Sequence, residues 1–261
     1  MFRFFRSLRQ SLIGKNQSGK YLKYALGEIV LVVIGILIAL QINTWNEGLV
    51  NKKKEKEYLN NLIEDLKTQE NLVNTQIRHE ATMRGNCEKA LKYLNAEKIP
   101  GDSVSKYLET VTRRTFVVND PTFQDLKSSG NILLIKDSDL RKKILSFYQY
   151  LDYSALVIQT SNETSVAEFR HFLINHSVVN VNYLDSLTVA GGVNFTINTV
   201  EVPWAKSIQE EKFRDKNHLF KVLNRVAARG RTSSVHLDLM NRLQKRIEQM
   251  RQEMVDYINQ S

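Results

Sequence analysis

Residues 28–40 read Glu28-Ile-Val-Leu-Val-Val-Ile-Gly-Ile-Leu-Ile-Ala-Leu40, and every residue from Ile29 to Leu40 is apolar or glycine. Widening the window to Tyr24–Trp45 adds only Gly27, Glu28, Gln41, Asn43 and Thr44 as non-apolar residues. A helix over that span is about 33 Å long, enough to cross a bilayer core of roughly 30 Å. The stretch predicts a transmembrane helix over residues 24–45. It divides the chain into a basic segment, 1–23, and an outer domain, 46–261.

The bases on either side of the span set its character. Residues 1–23 hold six of the 37 Lys and Arg residues and no acid, which leaves 31 bases against 28 acids for the rest. The formal charge of +9 is therefore mostly a membrane-flanking tail. Nucleic-acid binding would need a basic stripe on the folded part, so no nucleic-acid partner is expected. Phe2, Phe5, Leu8 and Leu12 alternate with Arg3, Arg6 and Arg9, the pattern of a basic amphipathic helix on an anionic surface. Tyr21, Tyr24 and Trp45 bracket the span as interfacial aromatics do.

A cleavable signal peptide needs small residues after its apolar core, and here the chain reads Leu40-Gln-Ile-Asn-Thr-Trp45. An uncleaved signal anchor is expected. Six bases precede the span, against Lys52, Lys53, Lys54 and Lys56 after it. That bias predicts a cytoplasmic N-terminus and an outer domain on the far side. Within the span, Glu28, Gly35 and Ala39 fall on one helical face. Gly35-xxx-Ala39 is a small-xxx-small pair that lets helices approach closely, so this face is a candidate for helix association in the membrane.

Beyond the span the pattern is mainly α. From Lys52 to about Leu94 a heptad-like seam carries Leu59, Leu62, Leu66, Val73, Cys87, Ala90 and Leu94. Gln69, Gln76, Glu80 and Met83 interrupt it, and Ile63, Ile77, Ala81 and Leu91 widen it, which suits a bundle better than a two-stranded coiled coil. The helix should end at Ile99-Pro100-Gly101. Asp102 or Ser103 then caps a short helix with Val104, Tyr107, Leu108 and Val111, and Thr115–Val118 should be extended. Asp120-Pro121 starts a helical turn that stops at Gly130. A helix from Asp137 or Ser138 runs to about Asn175. Residues 178–203 break the pattern as a β-hairpin or an irregular loop. A helix follows from about Ala205 to Ala228. The last helix starts near Ser233 or Ser234, with Met240, Leu243, Ile247, Met250, Met254 and Tyr257 at 3-4-3-4-3 spacing, and should pack antiparallel to the first.

Chemistry is not legible. The chain has no nucleophile elbow, phosphate loop, dinucleotide fingerprint, HExxH or paired-cysteine motif. The five histidines are scattered, and Glu210 and Glu211 point in different directions on a helix. Asp137-Ser-Asp139 lacks the glycine and distal glutamate of a calcium loop. Cys87 lies in a helical pattern two turns from His79 and reads as a buried packing residue. No catalytic residue, cofactor or metal is expected.

The segment Gly27 to Glu47, with Phe4-Phe5-Arg6 before it, resembles the signature of an uncharacterised family of single-pass proteins from flavobacteria-like Gram-negative bacteria. Phe123-Gln-Asp-Leu-Lys-Ser-Ser-Gly-Asn131, followed by Ile135-Lys-Asp137 and Leu140-Arg141, fits the same family. The resemblance implies an inner-membrane protein with a periplasmic helical domain and carries no activity, substrate or partner. Within that motif Phe123, Ser129, Gly130 and Asn131 are a candidate docking turn. The resulting expectation is an interaction or scaffold protein of the cell envelope. Its partners would be the lipid bilayer and either a second copy or another envelope protein. The alternative is an extracytoplasmic sensor that signals through a partner membrane protein.

Overall fold

The computed structural model describes residues 18–109, 111–176, 182–188, 194–200 and 202–260. The basic amphipathic pattern at residues 2–13 and parts of 178–203 lie outside the described residues, as do the side chains of Tyr21 and Tyr24. The chain divides into two compact units, Met1–Glu57 and Tyr58–Ser261.

The first helix, α1, is Ser18–Leu94. In the first unit it is long and apolar enough to cross a membrane. Its large apolar side chains from Leu22 to Val50 are 47–72% exposed. Leaving that much hydrocarbon in water is unfavourable by roughly 25 cal/mol per Å².

The second unit is a helical domain. After α1 come α2 (Gly101–Glu109), α3 (Pro121–Ser128), a 3₁₀ turn (Asn131–Leu134) and α4 (Ser138–Ser161). A π-helical turn (Asn162–Val166) leads directly into α5 (Ala167–Asn175). Strands β1 (Asn182–Thr188) and β2 (Asn194–Thr199) pair antiparallel, Asn182 opposite Thr199, with an irregularity between Leu184 and Ser186. The chain closes with α6 (Pro203–Arg214) and α7 (Lys216–Gln260).

Helix α7 runs antiparallel to α1. His236 meets Glu80, Gln244 meets Asn74 and Arg251 meets Glu70, so one number rises as the other falls. The Met240–Met254 seam is buried against Leu59, Leu62, Leu66 and Val73 in one core, which α3 and α4 complete through Phe123, Leu126, Ile144 and Leu151. A second core gathers Met83, Cys87, Ala90 and Leu94 with Leu108, Phe169, Phe213 and Val226.

Several local expectations need correction. Helix α2 already starts at Gly101, with the Ser103 and Val104 N–H groups on the Pro100 carbonyl, so Asp102 and Ser103 lie inside it rather than capping it. The break between the last two helices falls at Asp215, whose carboxylate accepts from the Asn217 N–H, and not at residues 229–232. Arg229-Gly230-Arg231 stays helical because Arg229 is buried at the interface with α1. A Cβ added at Gly230 would meet the Cβ of Cys87 at 3.5 Å, an ordinary van der Waals contact, so the position faces α1 without requiring glycine. The Asp120 carboxylate makes no cap bond to α3. Asp65 of α1 supplies one instead, accepting from the Thr122 N–H at 2.9 Å. The helix expected over 137–175 holds a π turn at its middle, which no periodicity announces.

Candidate functional site

The two candidate patches of the sequence lie in different units. Glu28, Gly35 and Ala39 are on the part of α1 that belongs to the first unit. Gly35 and Ala39 are exposed, and a Cβ added at Gly35 would meet nothing within 4 Å. The close-approach surface is therefore open on the single chain.

The turn at 123–131 is anchored to the domain at both ends. Phe123 is buried and stacks on Tyr148, with ring centroids 3.9 Å apart and planes 8° off parallel. Gly130 takes φ 73°, a left-handed conformation that side chains resist. It ends the Ser129 turn so that Asn131 can reach back. The Asn131 Nδ2 donates to the Tyr58 hydroxyl at 2.8 Å, and that hydroxyl donates to the Asp125 carboxylate at 2.8 Å. The motif thus closes on α1. Of the four candidate docking residues, Ser129 and Gly130 are exposed, Asn131 is half-buried and Phe123 is buried.

Gln69, Gln76, Glu80 and Met83 are all buried, and each interruption of the seam has a partner. Gln69 acts as a fork on the extended backbone beside it: its Oε1 accepts from the Asn119 N–H and its Nε2 donates to the Val117 carbonyl. The Met83 sulfur accepts from the Thr112 N–H.

Glu80 is the centre of a polar layer between the two apolar cores. Its Oε1 accepts from Gln76 Nε2 at 3.1 Å and sits 2.9 Å from His236 Nδ1, while its Oε2 lies 3.8 Å from Arg229 Nη1. Arg229 also donates to the Ser233 hydroxyl and to the Thr112 carbonyl. Gln76, Glu80, Arg229, Ser233 and His236 are each 2% exposed or less. Burial pushes the Glu80 carboxyl up, but the His236 hydrogen bond and the Arg229 guanidinium outweigh it and hold Glu80 below the usual carboxylate value. Burial pushes Arg229 down, with Glu80 opposing. His79, beside the layer, is lowered by burial and by the charge of Arg229, with Glu80 opposing.

The group is enclosed within the domain. Its geometry sets the register of α7 on α1, since Glu80 finds His236 and Arg229 together at one sliding position only. Buried polar layers of this kind cost desolvation and return specificity of packing. Cys87, next to the layer, has its thiol pushed up to about 11 by burial and is a packing residue. Among the described residues no cluster of three metal-ligating side chains occurs. The interruptions at 76 and 80 were visible in the sequence. Their partners were not, because Arg229, Ser233 and His236 lie in a stretch that carries no seam of its own.

The profile of a family of unknown function (DUF6090) matches residues 28–201. The match takes in two-thirds of the chain, from the apolar span to the second strand. The chain belongs to that family. No curated protein and no solved structure matches it.

Proposed function

We propose that this member of a family without an assigned activity is a single-pass, membrane-anchored interaction protein of the cell envelope. Its N-terminus lies in the cytoplasm and its helical domain lies outside the inner membrane, in the periplasm. It works by holding another envelope protein, or a second copy of itself, at the bilayer. One observation carries the reading. The helix that presents an uncovered apolar stretch from Leu22 to Val50 continues, as the same α1, into the core of a helical domain. The base-rich residues 1–23 favour the stated orientation. The open Gly35–Ala39 face supplies a surface on which a second helix fits closely.

The test is photo-cross-linking in intact cells from a reactive side chain at position 39, compared with position 37 off the face. The reading predicts a reproducible adduct from 39, its mass showing a second copy or another envelope protein. Absence of an adduct from either position contradicts it. A reporter fused after Ser261 tests the orientation separately, and cytoplasmic activity of that reporter would reverse it.

A further inference from the structure

A hollow of ≈ 400 Å³ opens where the segment after α2 meets the π turn and α5. Val111, Val166 and Ala167 give it an apolar wall, and Thr112, Arg113, Arg170 and His171 a polar one. The volume lies in the range of small-molecule sites.

Both walls are fixed from behind. The Asn162 side chain, at the start of the π turn, donates to the Arg114 carbonyl at 2.9 Å and ties the two segments together. Thr112 is held at both backbone ends, its N–H on the Met83 sulfur and its carbonyl on Arg229 of the buried layer. A π turn inserts one residue into a helix, which displaces the following side chains around the axis, and such turns recur at functional sites. Here it places Val166, Ala167, Arg170 and His171 on the hollow.

The two arginines of the hollow, Arg113 and Arg170, are both exposed to solvent. Among the described residues neither Arg113 nor Arg170 pairs with a carboxylate, whereas Arg225 and Arg229 both do. Of the acids near Arg170 in the chain, Glu163 accepts from Gln159 and Glu168 from Arg225. Two guanidinium forks with no internal partner, beside a short apolar wall, select an oxyanion with an aliphatic body.

We propose that this hollow is a binding site for a small organic carboxylate, with Arg113 and Arg170 taking the carboxylate and Val111, Val166 and Ala167 the aliphatic body. The site goes beyond the interaction reading and does not depend on it. Because Thr112 belongs both to the hollow and to the Arg229–Glu80 layer, an occupant sits one residue from the contact that sets α7 on α1.

The test is thermal unfolding of the full chain in neutral-lipid nanodiscs with pentanoate, pentan-1-ol and inorganic phosphate at constant ionic strength. Pentanoate should raise the unfolding temperature in a saturable way, and the alcohol and phosphate, each supplying half of the chemistry, should do so far less. Arg113→Gln and Arg170→Gln leave no partner behind and should each weaken pentanoate binding by about tenfold or more, the range of a lost charge-assisted bond. No shift with pentanoate, an equal shift with pentan-1-ol or with phosphate, or a shift retained in the double variant would overturn the site.

Discussion

At the scale of single residues, the buried polar atoms make opposite predictions. The Tyr148 ring stacks on Phe123 in the first core, but its buried hydroxyl has no hydrogen-bond partner among the described residues. Tyr148→Phe should keep the stack and remove the unpaired hydroxyl. Denaturant unfolding should show unchanged stability or a gain of up to about 1 kcal/mol. Glu80 is the reverse case. Glu80→Gln leaves the buried Arg229 guanidinium uncompensated, and loss of one member of a buried charge pair costs about 3–5 kcal/mol. Glu80 is also held below its ordinary value in the folded chain. Its contribution is therefore complete above the unfolded carboxylate value, about 4.3, and is lost as pH falls through the lower folded value. Unfolding free energy measured from neutral pH to pH 3 should drop steeply in the natural chain. The drop should be shallower in Glu80→Gln.

At the scale of elements, helix contacts decide which glycines and caps matter. A Cβ on Gly85 meets nothing within 4 Å, so Gly85→Ala should stabilise α1 by about 0.5–1 kcal/mol. A Cβ on Gly101 would stand 2.6 Å from Gln209 Oε1, and the Gln209 amide is held by the Ser105 hydroxyl inside the domain. Gly101→Ala should destabilise, and calorimetry on the pair should give midpoint shifts of opposite sign. Asp65→Ala removes the bond to the Thr122 N–H and should cost about 1 kcal/mol, as the loss of an N-terminal cap does. Asp120→Ala should cost less, since Asp120 makes no cap bond. These cases mark how far the sequence could be read. The Asp137 cap and the Met240–Met254 seam follow from local signals, and the structure has both, whereas α1 ends at Leu94, before the stop expected at Ile99-Pro100-Gly101. Asp137 accepts from both the Asp139 and Leu140 N–H groups, as its place before an apolar helix implies. The cap from Asp65, the unbroken helix through Gly230 and the π turn depend on residues far apart in sequence. A stretch such as Arg229-Gly-Arg-Thr-Ser-Ser234 reads as a helix stop until the carboxylate that buries Arg229 is known.

At the scale of the whole molecule, the chain joins an exposed apolar helix to a helical domain with two cores and an enclosed polar layer. The polar layer is enclosed, and the open surface includes the Gly35–Ala39 face and the hollow at the π turn. The central claim is that the apolar helix holds the protein against a partner in the membrane. Gly35 and Ala39 are exposed, so Gly35→Leu with Ala39→Leu should leave the outer domain's unfolding unchanged while blocking close helix approach. The most direct measurement is the particle mass of the full chain, cross-linked in cells and extracted in mild detergent, with and without that double substitution. The account predicts a complex larger than one chain that falls to monomer in the variant. A strict monomer with no attached protein in the natural chain would contradict it.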